Sequence, residues 1–183
     1  MSLAARITAE PSYTQCAGLW LYNMFEQLVV RKAAPADAAV VSSLIVSVAH
    51  CFIVNPTGEG AERFFATIST EAIAGYISSP NFNYLTAFLG GRVVGVVAMR
   101  DAKHLFHLFI ARDFQRRGLG RLLWQRAQSD ALAAGNREGF TVNSSPYAVP
   151  FYECLGFRAT SSRVEKDGIA FVPMKREAGN CNL

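Results

Sequence analysis

Apolar residues recur along the chain with two different periods, and each period predicts one kind of secondary structure. Between residues 40 and 48 the spacing is helical, which predicts a helix with one apolar face that begins near Pro35. The residues expected on this face are Val40, Val41, Leu44, Ile45 and Val48. Residues 62–74 show the same period and predict a second helix, in which Phe65, Ile68 and Ile73 are buried.

A third helix begins near Leu119 and is expected to end at Gly135-Asn136, a pair typical of helix C-termini. Short apolar or β-rich runs predict seven strands, at residues 28–30, 84–89, 92–99, 105–110, 140–143, 158–164 and 169–174. Gly90-Gly91 and Asp167-Gly168 each predict a tight hairpin between two of these runs. A short helix follows from Tyr147.

The predicted order is therefore β-α-α-β-β-β-α-β-α-β-β, an α/β (α+β) layout with a mixed, mostly antiparallel sheet. We divide the chain into an N-terminal extension at residues 1–24, one domain at 25–177 and a tail at 178–183. The N-terminal region is rich in apolar side chains that need cover, which favours a homodimer. These side chains are Leu19, Trp20, Leu21 and Phe25.

Composition and charge narrow the classes of partner. The chain is 51% hydrophobic and 17% charged, which argues against disorder. Its net charge of +4 is concentrated in the arginines at 112, 116, 117, 121 and 126. Because no basic stripe extends further, we interpret this cluster as a site for a small anion, and we expect no nucleic-acid partner.

The cysteines stand far apart, at Cys16, Cys51, Cys154 and Cys181. Neither they nor the three histidines have the spacing of a metal site, so we expect no metal, no disulfide framework and a cytoplasmic location. No apolar run reaches the roughly 20 residues that span a bilayer, and we expect no membrane partner. Residues 16–25 lack a convincing cleavage site, which argues against a signal peptide.

The segment from Gln115 to Gly120 places a glycine turn between a strand and a helix. The first amides of a helix have no internal partner and lie at the positive end of its dipole, so they form a site for a diphosphate. Gly118 permits a left-handed turn, and Gly120 lacks a Cβ that would hold phosphate oxygens away from the amides. Arg116 and Arg117 add charge. A helix that simply begins after a basic loop is the alternative.

A second motif lies about thirty residues downstream, where a strand ending at Asn143 precedes Phe151-Tyr152 and Gly156-Phe157. Together the two motifs resemble the GCN5-related N-acetyltransferase (GNAT) superfamily. The first matches its signature Gln/Arg-x-x-Gly-x-Gly/Ala, and the second its F-Y-x-x-x-G-F. The resemblance covers most of the chain from about residue 28 to 176.

This resemblance implies a GNAT-like sheet of about six to seven strands with about four helices, and acetyl-CoA as cosubstrate. The backbone at Leu108, Phe109 and Ile110 would pair with the pantetheine arm. The residues implied in holding the diphosphate are Gln115, Arg116, Arg117, Gly118, Leu119 and Gly120, with Arg121 beside them. Asn143 would bind pantetheine amides through its side chain, and capping of the next helix through Ser144 and Ser145 explains that segment equally well.

Tyr152 is the candidate general acid, because a phenol can protonate the departing thiolate. A core aromatic with a satisfied hydroxyl is the alternative. His107 is a candidate base, and a buried structural histidine is the more common role of such a residue. Alternation along the strand places His104 and His107 on opposite faces. Cys154 lacks a paired base, so we interpret it as a packing residue.

We interpret the chain as an N-acetyltransferase that moves an acetyl group from acetyl-CoA to a primary amine of a small molecule or peptide, by direct attack. The alternative is a non-catalytic acyl-CoA-binding sensor or partner module of the same fold. The acceptor is not specified by the sequence. Glu59, Glu62 and Glu71 favour a cationic amine, and a solvated helix face explains them as well.

Overall fold

A computed structural model of the chain describes residues 27–178. The extension at residues 1–24, on which the homodimer prediction depends, lies outside these residues, as do Cys16 and Cys181. Five α-helices are present in the described part. They are α1 (Ala38–Ser47), α2 (Glu62–Thr67), α3 (Thr70–Ser78), α4 (Leu119–Ala133) and α5 (Val149–Cys154).

Eight strands form a mixed sheet in the order β1-β2-β3-β4-β5-β8-β6, and β7 pairs with β8. The strands are β1 (Leu28–Lys32), β2 (Phe82–Leu89), β3 (Arg92–Arg100), β4 (His104–Ile110), β5 (Phe140–Ser144), β6 (Arg158–Ala159), β7 (Val164–Lys166) and β8 (Ile169–Arg176). Every pairing is antiparallel except β4 with β5. The predicted α/β class and mostly antiparallel sheet are confirmed.

The sheet buries two apolar clusters, one on each face. One contains α4 and Tyr152 of α5, and the other contains α1 and α3. The helical spacing in α1 correctly identified its buried face, with Val41 and Ile45 fully enclosed. Val40 was assigned to that face wrongly, because it is 49% exposed. Its position, one residue before Val41, rotates it about 100° around the helix.

The predicted helix at residues 62–74 is in fact two helices. The Ser69 backbone is extended, and its hydroxyl accepts a hydrogen bond from the Ala72 N–H at 3.2 Å. Ser69 therefore caps α3 and separates it from α2. Ile68 and Ile73 are buried as expected, whereas Phe65 is only half-buried.

The tight turns agree with the sequence. Gly90 and Gly91 both have positive φ and close the β2–β3 hairpin, and Asp167-Gly168 does the same for β7–β8. The helix α4 ends in a Schellman motif, since Asn136 N–H donates to Ala131 O and Gly135 N–H donates to Leu132 O. The predicted strand at residues 158–164 is interrupted, which accounts for one strand more than expected.

The loop between α1 and α2 is fastened to the β7–β8 turn by backbone contacts. Ala170 N–H donates to Phe52 O at 2.8 Å, and Val54 N–H donates to Gly168 O at 2.9 Å. Gly168 has a φ of +72° and lies against Gly60. A Cβ on Gly168 would overlap the carbonyl of Gly60 and lie 2.5 Å from the Ala61 nitrogen.

We therefore expect Gly168→Ala to destabilise the fold more than Gly91→Ala. Gly91 has a φ of +80° with open space around it, so alanine there carries only the left-handed backbone cost of about 1–2 kcal/mol. At Gly168 the steric overlap adds to that cost. Urea unfolding of both variants measures the difference, and equal losses would contradict close packing of the turn on the loop.

Candidate functional site

The central feature of the site is a gap between β4 and β5. These strands pair in parallel only at His104↔Thr141 and Leu105↔Val142, whereas β4 continues along β3 as far as Ile110. Residues 106–110 therefore have a neighbouring strand on one side only. On the other side, the backbone groups of residues 106–109 are available to an extended ligand, which can add like a strand. The carbonyl of Ile110 accepts a hydrogen bond from the Gln115 side chain.

A β-bulge at Phe106 coincides with the start of this gap. The register between β3 and β4 shifts between Ala98 and Met99, which face His107 and Leu105, so Phe106 is an extra residue. After the bulge the side chains of β4 again alternate between the two faces of the sheet, displaced by one residue. Phe106 and Phe109 pack into the cluster with α1 and α3, and Leu108 and Ile110 pack on the side of α4.

The bulge corrects one prediction about the histidines. His104 bonds Thr141 Oγ1 through Nδ1 at 2.8 Å, on the face opposite to the buried Val142. His107 bonds the Tyr84 hydroxyl through Nδ1 at 2.8 Å, and Tyr84 belongs to the cluster with α1 and α3. Both histidines therefore lie on one face. Alternation predicted opposite faces and failed because the bulge adds one residue between them.

The glycine turn lies directly before the helix, as the sequence indicated. Gly118 has a φ of +85° and is the N-cap of α4, and Arg116 is also left-handed, with a φ of +59°. The Gln115 side-chain amide donates to Ile110 O at 3.0 Å. Gln115 thus fastens the turn to the end of β4, which sets the distance between the gap and the helix N-terminus.

The first amides of α4 point out of the helix. The first helical hydrogen bond runs from Leu122 N–H to Gly118 O at 3.1 Å. Within residues 27–178, no protein group accepts a hydrogen bond from the N–H of Leu119, Gly120 or Arg121. Arg116 and Arg121 are exposed beside them, and the Arg117 guanidinium lies 5.8 Å from the centre of the Phe114 ring. The arrangement suits a diphosphate.

Gly120 lies where α4 meets α5 and the end of β4. A Cβ at this position would lie 3.4 Å from the Phe151 ring and 3.8 Å from the Ile110 side chain, which is ordinary contact. Gly120 therefore borders the Phe151 ring of α5, with space for a methyl group between them. This contact joins the two sequence motifs physically, through Phe151 and Gly120.

Tyr152 is buried in α5, with 6% of its surface exposed. Its ring packs edge-on against Phe151 and Phe157, at centroid distances of 5.2 and 5.6 Å. Burial raises the pKa of its phenol above the ordinary value, so the hydroxyl keeps its proton at neutral pH. Among residues 27–178 the hydroxyl has no hydrogen-bond partner.

His107 is enclosed by aromatic rings and is 6% exposed. Burial lowers the pKa of its imidazole to about 3, so it is neutral at physiological pH. The pKa of its partner Tyr84 is raised by burial and by Tyr76. No pattern in the sequence predicted that Tyr84 would pair with His107. His107 and Tyr152 belong to opposite faces of the sheet, so the structure does not bring the two candidate catalytic groups together.

Asn143 is exposed at the end of β5. The Thr141 N–H donates to Lys103 O, so the backbone groups of Thr141 point towards β4. Those of Asn143, two residues further along the strand, point to the same side. The capping alternative is not what the structure shows. The Ser144 hydroxyl donates to Ser145 O, and the following 3₁₀ turn, Pro146–Ala148, has no side-chain cap. Within residues 27–178 no group of three or more metal-ligating side chains occurs.

The sequence was compared with known proteins. The family model described as the acetyltransferase (GNAT) domain matches residues 53–178. No curated protein matches the chain. None of the helices in the described part is both long and apolar enough to cross a membrane.

Three solved structures of similar fold cover most of the chain. A GCN5-related N-acetyltransferase from Rhodopseudomonas palustris is 24% identical, with a TM-score of 0.69 over 81% of this chain and 94% of its own. PaiA N-acetyltransferase from Thermoplasma acidophilum, solved with coenzyme A, is 15% identical, with a TM-score of 0.66 over 82% and 98%. A GNAT-family acetyltransferase from Streptococcus pneumoniae is 26% identical, with a TM-score of 0.60 over 83% and 99%.

We expect acid to destabilise the fold through His107. Its pKa is about 3 when folded, against 6.5 for an unperturbed imidazole. Between these values the unfolded chain binds about one more proton, so this group lowers the free energy of unfolding by about 1.4 kcal/mol per unit as pH falls from 6.5. Urea unfolding at several pH values measures the slope. His107→Gln can still bond the Tyr84 hydroxyl and should lose this contribution, whereas identical slopes would contradict a buried neutral imidazole.

Proposed function

The chain belongs to the GNAT acetyltransferase family, and on that premise we propose that it transfers the acetyl group of acetyl-CoA to a primary amine of a small molecule or peptide. The observation that carries this proposal is the unpaired edge of β4 beside a glycine-capped helix N-terminus. An extended pantetheine arm can pair with the edge of β4, and a diphosphate can bind at the helix N-terminus. PaiA N-acetyltransferase, which shares the fold, was solved with coenzyme A, and this supports the cosubstrate.

In this proposal the cosubstrate lies along the gap. The amides of Gly118, Leu119, Gly120 and Arg121 bind the diphosphate, and Arg116, Arg117 and Arg121 add charge. The pantetheine amides pair with the backbone of β4 at residues 108–110 and with Asn143 across the gap. A β4 amide aimed at the thioester oxygen stabilises the negative charge that develops during attack.

The reaction then consists of attack by the amine, cleavage of the carbon–sulfur bond and protonation of the departing thiolate. A neutral amine attacks the thioester carbon and forms a tetrahedral intermediate, which loses the amine proton and collapses with cleavage of the carbon–sulfur bond. The electron pair leaves with sulfur, and the Tyr152 hydroxyl donates a proton to the thiolate. Desolvation raises the pKa of the phenol and would also make a buried thiolate more basic, so the transfer remains matched.

The proton of the attacking amine passes to water in this mechanism. With a pKa of about 3 and a hydrogen bond to Tyr84, His107 is a weak proton acceptor at neutral pH. Water in the open gap therefore takes the amine proton more readily than His107 does.

We further propose a cytoplasmic location, supported by Cys51 and Cys154, which are free thiols in the part of the chain that the structure describes.

Calorimetric titration with acetyl-CoA tests the cofactor site, with ATP as a control ligand. We expect Gly118→Glu to lose acetyl-CoA binding, because it places a carboxylate at the diphosphate. Gly135→Glu is the matched control, since Gly135 is also left-handed and flanks the other end of α4, in open space. Equal binding by both variants would contradict the site, and no binding by the unmodified protein would reject the proposed function.

Replacing Tyr152 by phenylalanine tests the acid. We expect turnover to fall by roughly 10–100-fold while the dissociation constant for acetyl-CoA stays nearly constant, since only the proton donor is removed. Steady-state detection of the acetylated amine by mass spectrometry measures this. Unchanged turnover would remove Tyr152 from the mechanism. Binding of acetyl-CoA without transfer to any amine would favour the non-catalytic acyl-CoA-binding alternative.

A further inference from the structure

A continuous band of aromatic rings crosses the sheet beside the gap, on the face that carries α1 and α3. We call it the aromatic band, and its members are Tyr76, Phe82, Phe106, Phe109, Phe52 and Phe64. Tyr76, Phe82 and Phe106 lie 5.0 Å apart, centroid to centroid. Phe52 contacts Phe109 at 5.8 Å and Phe64 at 5.1 Å. The buried His107 joins the two groups.

Most of these rings are not fully enclosed. Phe52 is buried, and the other five members are half-buried, so they present aromatic surface to an incoming group. Phe106 and Phe109 belong to the stretch of β4 that has no β5 partner. The band therefore begins where a thioester would lie and continues to Phe64 on α2.

The amine must approach from this side. A thioester that lies in the gap, in the plane of the sheet, exposes its carbonyl carbon to the two faces. On one face α4 and α5 close the approach, since Phe151 contacts Gly120 and Tyr152 is buried. The other face carries the aromatic band, so the acceptor lies against these rings while its nitrogen reaches the carbonyl carbon.

The charges around the band do not favour a polycation. Arg100, which pairs with Asp101 at 3.7 Å, lies 5.6 Å from the centre of the Phe106 ring. At the other end lies a second positive charge, the guanidinium of Arg112 near the Cys51 thiol. It opposes the rise in the pKa of this thiol that burial causes. The nearby carboxylates bond within their own loop, because Glu59 accepts from Asn55 and Glu62 from the Gly60 N–H.

Resting on the proposed function, we infer that the acceptor is a primary amine carried on an aromatic or similarly bulky apolar group, which the aromatic band binds. Aromatic surface gains free energy by burying such a group, and ring faces also attract a single ammonium. The band therefore selects the body of the acceptor, while β4 and Tyr152 perform the transfer. A polyamine or a short hydrophilic amine has no comparable contact.

The test compares four amines at saturating acetyl-CoA, with the acetylated product measured by mass spectrometry. The amines are 2-phenylethylamine, 2-cyclohexylethylamine, n-propylamine and spermidine. We expect kcat/KM for 2-phenylethylamine to exceed those for n-propylamine and spermidine by about 10-fold or more, an effect that the burial of a few apolar carbons can supply. Preference for n-propylamine or spermidine, or acetylation of none of the four by a protein that binds acetyl-CoA, would overturn the inference.

Two variants separate binding of the acceptor from general damage. Phe64→Ala removes the ring at the α2 end of the aromatic band and should lower kcat/KM for 2-phenylethylamine by about 10-fold, with little change for n-propylamine or in the affinity for acetyl-CoA. Phe88→Ala is the matched control, because Phe88 is also half-buried and lies far along the sheet, pairing with Val29 of the edge strand. An equal loss for both amines would show a merely structural role and overturn the assignment. If the unmodified protein does not bind acetyl-CoA, the proposed function is rejected, and this inference with it.

Discussion

Backbone hydrogen bonding along β4 stops on one side after Leu105, and this break determines how the site is built. Unpaired amides and carbonyls in the middle of a sheet are costly unless water or a ligand satisfies them. The structure keeps this edge open in the centre of the molecule rather than at its rim. A ligand with alternating amide donors and acceptors can complete the sheet there through contacts with the backbone rather than with side chains.

Close packing of helices on the two halves of the sheet holds the gap open. Gly95 of β3 lies close to α4, because a Cβ there would lie 2.9 Å from Cδ1 of Leu123 and 3.0 Å from Cδ1 of Ile110. Trp124 of α4 is fully buried and contacts both Phe140 and Phe157, at 5.1 and 5.2 Å. The same helix thus packs on β3 and on β5. Since its N-terminus also carries the glycine turn, one element fixes the width of the gap and the position of the exposed helix amides.

The two faces of the gap differ in chemistry. On the side of α4 and α5 lies a phenol that keeps its proton, because burial raises its pKa. On the other side lie half-buried rings and an imidazole that is neutral because burial lowers its pKa. Desolvation therefore raises the pKa of the phenol and lowers the pKa of the imidazole, and it leaves both groups uncharged. The phenol of Tyr152 and the half-buried rings are therefore separated by the thickness of the sheet.

The sequence alone determined the features that depend on neighbouring residues. The hairpins at Gly90-Gly91 and Asp167-Gly168, the glycine turn before α4 and its C-terminal cap follow from local rules, because a turn or a cap is satisfied within a few residues. The order of elements was also predicted, except for the breaks at Ser69 and within residues 158–164. Tertiary structure decided the rest. The bulge at Phe106 depends on the register with β3, and it alone places His104 and His107 on one face. The contact between Gly120 and Phe151 joins α4 to α5, and the aromatic band joins side chains from five separate segments. Such contacts link residues far apart in the chain, and no local pattern encodes which strand register or which helix contact will be the most stable.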